Sequence, residues 1–297
     1  MAVFLGLDCG GSSCRAVAVD GEGSVLFQGQ SGPANILSTP RGRLRTNLRS
    51  AVDGCPPADV VCGCFAGLLT DTDRSLARSL LLELFPDATI RCEPDYVAAL
   101  LACPEGTDVC VISGTGSVIC SLEGGAIRKS GGRGFLLGNP GSAYAFGRDA
   151  IRCYLQKGEG AVGGHLLREL DRRFDSRSEN DVVAAVHRSG TPAAVLARFA
   201  SPWGRDAAEG NLCAIESVRK GTGRLARQTA EHIARFVPGA GTVRICLAGG
   251  LWSGPSIYRE CFEEALAAAI APREAVVAKI EQPPVRGAVR LAMETKQ

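Results

Sequence analysis

The sequence carries almost no excess charge of either sign, with 33 Lys and Arg against 31 Asp and Glu and a formal net charge of +2. That balance excludes a bulk basic field able to hold nucleic acid or an anionic membrane, although a local basic patch is compatible with it. Long hydrophobic runs are also missing. Uncharged stretches such as Val109 to Leu122, about 14 residues, are full of Gly and Ser and short of the roughly 20 apolar residues of a bilayer-crossing helix. The N-terminal apolar run Val3 to Leu7 is stopped by Asp8, so it is no signal peptide. There is no GxxxxGK[ST], which excludes a Walker A loop, and no GxGxxG after the first apolar run, which argues against a dinucleotide fold. No CxxC pair occurs, and His165, His187 and His232 lack metal-ligand spacing and read as surface or helix residues.

What is present fits a globular chain of 297 residues, 45% apolar and 22% charged, long enough for two domains or one large one. Cysteine is the odd item. Its 13 residues cannot all pair, and most, such as Cys110, Cys120 and Cys246, lie inside apolar runs. They read as buried thiols of a protein in the reducing cytoplasm.

Apolar runs and turn signals place the elements. Ala2 to Leu7, Arg15 to Val19 and Val25 to Gln28 read as an antiparallel meander whose first turn is Asp8-Cys9-Gly10-Gly11-Ser12-Ser13. Helical spacing over 42–52 and 74–85 alternates with short strands at 60–65 and 89–92, and Pro94-Asp95 opens an apolar helix over 96–103. The pattern then recurs: apolar 108–112, the turn Ser113-Gly114-Thr115-Gly116-Ser117, and apolar 118–122, with Ser12 and Ser117 taken as matching places about 105 residues apart. Helices are expected at 143–157, 164–174, 179–187, 192–200, 207–236, 257–270 and 285–293, and strands at 243–248 and 275–280. Strands alternate with helices throughout, which gives an α/β class with two halves of similar topology.

Each glycine turn can bring bare main chain close to a phosphate, with Ser12, Ser13, Thr115 and Ser117 as extra hydroxyls. Asp8, at the mouth of the first turn, would be repelled by bound phosphates unless a cation lay between, so it is the candidate to hold Mg²⁺. Asp95 offers N-cap chemistry and a general base for a hydroxyl attacking a γ-phosphoryl group, two roles that can hold together. The densest unusual stretch is Gly131-Gly132-Arg133-Gly134-Phe135-Leu136-Leu137-Gly138-Asn139-Pro140-Gly141-Ser142, which suits a loop lining a small-molecule site. Ala248-Gly249-Gly250-Leu251 follows a strand and is a further place for main chain to approach a ligand. Trp203 and Trp252 read as packing residues, with Trp252 also a neighbour for a nucleotide.

Taken in order, these motifs resemble the BadF/BadG/BcrA/BcrD ATPase family, and within it the N-acetylglucosamine and glucosamine kinases of the sugar kinase, Hsp70 and actin superfamily. The resemblance covers essentially the whole chain. It implies a two-domain actin-like (ribonuclease H-like) fold with a duplicated core and an interdomain cleft. The domains would be 1–104, with a C-terminal helix 285–297 packing back on it, and 105–284. It also implies ATP and Mg²⁺ as cofactors and transfer of a phosphoryl group to a hydroxyl of an amino sugar. By resemblance, Gly10, Gly11, Ser12 and Ser13 form the first phosphate motif and Gly114, Thr115, Gly116 and Ser117 the second. Gly249, Gly250 and Leu251 form the adenosine motif. Asp8 lies near the metal, and Asp95 is the catalytic carboxylate. Asn35, Asp95, Gly132, Asn139 and Ser142 face the sugar. The partner is thus a small-molecule sugar, with no nucleic acid and no membrane; a homodimer is an assembly open to it. This chain has Cys9, Ser12 and Cys14 where the family usually has Gly, Thr and Thr, and Asn139 where it usually has Asp, which keeps the hydrogen-bonding shape but loses the charge. Two rival readings are an iron–sulfur ATPase that energises a 2-hydroxyacyl-CoA dehydratase or benzoyl-CoA reductase, kept open by the cysteines, and a sugar or nucleotide sensor without turnover.

Overall fold

The computed structural model describes residues 2–174 and 176–295. The chain divides into two units, Met1–Glu105 with Ile280–Gln297, and Gly106–Lys279. The first unit runs β1 (Phe4–Cys9), β2 (Cys14–Val19), β3 (Val25–Ser31), α1 (Arg41–Ala51), β4 (Val60–Phe65), α2 (Asp71–Leu82), β5 (Thr89–Pro94) and α3 (Asp95–Leu101). The second contains β6 (Val109–Ser113), β7 (Ser117–Glu123), β8 (Ala126–Gly131), α4 (Gly134–Leu137) and α5 (Ala143–Lys157). It continues with α6 (Gly164–Arg173), α7 (Glu179–Arg188), α8 (Pro192–Ala197), α9 (Ala200–Ala208), α10 (Leu212–Phe236), β9 (Val243–Ala248), α11 (Ile257–Ile270) and β10 (Ala275–Lys279). The chain then returns to the first unit as α12 (Val285–Glu294). The last two residues of the expected 285–297 helix lie outside the described residues.

Each unit holds one five-stranded sheet, in the orders β3-β2-β1-β4-β5 and β10-β9-β6-β7-β8. Reversing the second order gives the same plan: an antiparallel three-strand meander whose first strand also pairs in parallel with a later one. The sequence repeat is therefore a repeat of topology. Its register differs from the sequence alignment. The first hairpin closes on Cys9 opposite Cys14, the second on Ser113 opposite Ser117, so the second turn is one residue shorter. Ser12 stands in a turn while Ser117 already begins β7, and the two do not occupy matching places.

In the first unit both sheet faces are covered, which is why β1 and β4 read as continuous apolar runs. Leu5, Leu7 and Cys9 face a core with Leu44 and Leu48 of α1 and Leu80 and Leu81 of α2, whereas Phe4 faces Val97 and Ala98 of α3 and Val289 of α12. The second face is tight. A Cβ on Gly6 would lie 2.4 Å from the Val289 nitrogen, so the glycine in mid-strand marks the close approach of α12.

Several boundaries move for local reasons. Helix α2 begins at Asp71, earlier than expected, because Thr70 and Asp73 form a reciprocal capping box. Helix α3 begins at Asp95 itself, with Pro94 as its N-cap, so Asp95 is the first helical residue and not the cap. The expected helix 207–236 is two helices, broken at Gly210 (φ +95°), after which the Asn211 side chain caps α10 by accepting from the Ala214 N–H. Strand β8 went unread because it is a charged, mostly exposed edge strand with no apolar face. His232 lies on α10, as a buried helix residue. Its Nδ1 lies 2.8 Å from Ser130 Oγ and its Nε2 2.9 Å from Ser121 Oγ, and burial lowers its pKa to about 4. Among the described residues no helix is long and apolar enough to cross a membrane.

Candidate active site

Strands β1, β4 and β5 run parallel and end on one row, Cys9 opposite Phe65 opposite Pro94. Open α/β sheets bind ligands beyond this carboxyl edge. Alternation along β1 puts Asp8 on the face that carries Phe4 and Gly6, the face covered by α3, and Asp95 opens α3 one residue past the row. The fold thus brings the two carboxylates together from distant parts of the sequence. Burial first, and then the negative charge of Asp95, push the Asp8 carboxyl from its usual value up to about 7, against the opposing pull of Arg15. Asp95 accepts the Tyr96 N–H on its Oδ1 at 3.0 Å. A partly buried carboxylate facing a second one is an arrangement that a hard cation satisfies, since it favours the ionised form of both. The donor set therefore fits Mg²⁺ at Asp8.

The turn at 10–13 stands on the same edge. The Gly10 N–H donates to Ser13 O at 2.9 Å, and the Ala34 N–H donates to Gly10 O at 3.0 Å, which fastens the 32–35 segment against it. A Cβ on Gly11 would meet nothing within 4 Å, and Ser12 is exposed, so the outer face of the turn is open main chain of the kind that suits a phosphate. Beneath it the thiols of Cys9 and Cys14 lie 3.3 Å apart, fully buried, and burial pushes Cys9 well above its usual pKa. Asn35 is beside this turn. Its Oδ1 accepts the N–H groups of Leu37 (2.9 Å) and Ser38 (3.0 Å), which leaves the amide nitrogen as the group it can offer. A Cβ on Gly67 would come within 2.6 Å of that oxygen.

In the second unit the turn after β6 is held by the glycine-rich segment. Gly114 N–H donates to Gly116 O (2.9 Å), while Ala143 N–H, at the start of α5, donates to Gly114 O (2.8 Å). The expected ligand hydroxyls turn inward. Ser117 is buried and its Oγ donates to Pro140 O at 2.8 Å; Ser142 is buried, donates to Asn139 O at 2.8 Å and caps α5 by accepting the Ala145 N–H. Asn139 also turns inward. Its Nδ2 would lie 3.1 Å from a Cβ on Gly116, and its Oδ1 is buried with no hydrogen-bond partner among the described residues. Gly132 N–H donates to Ser117 O (3.0 Å). Gly131, Gly132, Gly134, Gly138 and Gly141 all have positive φ, from +65° to +134°, so the glycine content of the segment is set by backbone conformation. Thr115 offers its carbonyl to the Tyr144 N–H.

After β9, Gly249 (φ +101°) passes so close to β6 that a Cβ would be 2.3 Å from Ser113 O, whereas Gly250 faces open space. Leu251 and Trp252 are buried in the core, and Trp252 Nε1 donates to Val111 O at 3.1 Å. Trp252 is therefore a packing residue, and Leu251 has only main chain to offer a ligand. All 13 cysteines are free thiols, none of them in the exposed class, and no group of three cysteines among the described residues is close enough to share a metal.

Duplicated five-stranded sheets with open glycine turns at their strand ends define an α/β fold of the actin-like ATPase and sugar kinase class. The profile of the BadF/BadG/BcrA/BcrD ATPase family matches residues 5–292, and the chain belongs to that family. It is 27% identical over 279 residues to a glucosamine kinase of Vibrio cholerae, covering 87% of this chain and 90% of that one. Among solved structures, a candidate N-acetylglucosamine kinase from Porphyromonas gingivalis superposes with a TM-score of 0.77 at 20% identity, with 100% of both chains covered. A ROK family glucokinase from Streptomyces griseus, solved with glucose and AMPPNP, gives 0.65 at 16% identity over 99% of this chain and 100% of its own.

Proposed function

We propose that the chain is an ATP-dependent kinase that phosphorylates a hydroxyl of an amino sugar, glucosamine or N-acetylglucosamine. The observation that carries this reading is the convergence of Asp8, Asp95, Asn35 and the open turn at Gly11 on one sheet edge of the first unit. The family and the kinase relatives supply the substrate class.

Mg²⁺·ATP supplies the phosphoryl group and the countercharge. In the first unit, the main chain of Gly10 to Ser13 is the surface offered to a phosphate; within the second unit, the main chain of Gly114 to Gly116 and of Gly249-Gly250 is the surface offered to a nucleotide. Asp8 holds the cation, and metal binding requires its ionised form, so affinity for Mg²⁺ falls as pH drops below about 7. Asp95, at the first position of α3, accepts the proton of the attacking hydroxyl as the general base. Asn35 positions the sugar through its amide nitrogen. The protein works as a soluble cytoplasmic enzyme in this reading.

A coupled assay of ADP release across a panel of sugars tests the proposal. ADP release that depends on glucosamine or N-acetylglucosamine is the expected outcome. Hydrolysis indifferent to sugar, or nucleotide binding without release, overturns it.

A further inference from the structure

The second unit carries a cavity of about 180 Å³ lined by His165, Arg168, Glu169, Arg172, Arg198, Ser201, Pro202 and Arg205. Two stripes of identical spacing build it. Positions 165, 168, 169 and 172 lie at i, i+3, i+4 and i+7 along α6, and 198, 201, 202 and 205 repeat that spacing from the C-cap residue of α8, two before α9, through the second turn of α9. Where α6 packs on α9, four arginines meet one glutamate.

That glutamate does not balance them. Glu169 is nearly buried and already receives Arg172 Nη1 at 3.1 Å together with Arg173 Nε. The other nearby acids are also engaged. Asp206 is buried and accepts the N–H groups of His165 and Leu166 at 2.9 and 3.0 Å, and Glu209 accepts His165 Nε2 at 2.7 Å. Arg168 Nη2 donates to His165 Nδ1 at 3.0 Å. The side chains of Arg198 and Arg205 make no hydrogen bond or ion pair among the described residues. His165, Asp206 and Glu209 lie close enough to suggest a metal site. Both ring nitrogens of His165 are in use, however, and one faces a guanidinium, so a cation finds no imidazole lone pair there.

An anion meets the opposite situation. Guanidinium groups present planar, paired donors matched to phosphoryl oxygens, and a concave site concentrates their field. We propose that the cavity between α6 and α9 binds a phosphoryl dianion, as free phosphate or as the phosphate group of a sugar phosphate. None of its lining residues belongs to the turns at 114–117 or 249–251 or to the 131–142 segment. The proposal is independent of the kinase assignment.

Calorimetric titration of the full chain with inorganic phosphate, and separately with glucose 6-phosphate, tests it, with saturating Mg²⁺·AMPPNP present to fill the nucleotide site. The expected result is saturable binding that weakens about 10-fold or more in Arg198→Gln/Arg205→Gln, the loss expected for charge-assisted contacts. Arg198→Lys/Arg205→Lys loses less, and Glu169→Gln binds more tightly because the one carboxylate that lines the cavity is gone. Tighter binding of the sugar phosphate than of phosphate assigns the phosphate group to a sugar phosphate, and equal binding assigns it to free phosphate. Among the described residues the side chains of Arg198 and Arg205 make no other hydrogen bond or ion pair, so unchanged thermal melting of the double variant is expected. Failure of the wild-type chain to saturate with either probe, or equal affinity in wild type and Arg198→Gln/Arg205→Gln, overturns the proposal.

Discussion

In the first unit, the turn after β1 is fastened by two main-chain hydrogen bonds, rests on a pair of buried thiols, and has carboxylates beside it at Asp8 and Asp95. In the second, the turn after β6 has no acid at the strand end. Ser113 stands opposite Ser117 at the hairpin closure, and both hydroxyls reach across to the carbonyls of Gly141 (2.7 Å) and Pro140 (2.8 Å). One topology has thus been given two chemistries. The first copy keeps charge, which costs stability and suits catalysis; the second uses neutral hydroxyls to lock a glycine segment in place. Substitutions in the first copy should therefore alter turnover and pH response, and those in the second should alter stability.

The largest effect belongs to Asp95. Asp95→Asn keeps the shape and the helix start but removes the carboxylate proposed as proton acceptor, and turnover should fall about 10²-fold or more, the contribution of a general base. Melting should stay near that of the wild type. ADP release under saturating sugar measures the first and a thermal scan the second. Wild-type turnover with intact sugar binding would remove Asp95 from the mechanism.

Next in size is Ser113→Ala, on the stability side. The hydroxyl is fully buried, and its loss leaves Gly141 O without that donor, at a cost of about 1–3 kcal/mol. Denaturant unfolding should show the loss in the midpoint. A variant as stable as wild type, but slow in turnover, would reverse the assignment of the two copies.

Asp8 links charge to stability. Its folded pKa of about 7 lies above the ordinary carboxyl value, so the stability it contributes is complete at pH below about 4 and is lost as pH rises through 7. Asp8→Asn cannot ionise. Without nucleotide or Mg²⁺, the variant should melt a few degrees above wild type at pH 8 and together with it at pH 4. Added Mg²⁺ and ATP should stabilise wild type more than the variant. Equal melting at both pH values would mean that the carboxyl titrates normally.

Much of this plan was legible in the sequence, because it follows from short-range rules. The apolar runs of β1, β4 and β6, buried on both faces or at the core, marked themselves. So did the helices 143–157 and 257–270, whose boundaries agree with α5 and α11. The nearness of Asp8 to Asp95 was not legible, since strand order and the face of β1 that meets α3 are tertiary facts. The inward turn of Ser117 and Ser142 was hidden for the same reason: a hydroxyl beside a glycine reads alike whether it faces a ligand or a carbonyl. The arginine cavity was missed although its signal was present, two stripes spaced i, i+3, i+4, i+7 around 165–172 and 198–205. Nothing along the chain says that those stripes face one another.

The smallest expected effect on stability is also the sharpest probe of the two turns. A Cβ on Gly11 would meet nothing within 4 Å, and Gly11 does not have positive φ, so Gly11→Ala should leave stability unchanged or raise it by about 0.4–1 kcal/mol through the unfolded chain. Its methyl would stand on the open face assigned to phosphate, and the KM for ATP should rise while the melting temperature holds. At Gly116 the order inverts. There the new methyl would press on Asn139 Nδ2 at 3.1 Å, in a segment where Asn139 Oδ1 has no hydrogen-bond partner among the described residues. Gly116→Ala should therefore lower the melting temperature, because the amide must shift against Pro140 and Gly141, which Ser117 and Ser113 hold by their carbonyls. Steady-state kinetics and melting measured on both variants separate the outcomes. If Gly11→Ala melts lower and leaves the KM alone, the first turn is as much a structural clamp as the second, and the division of labour between the copies is wrong.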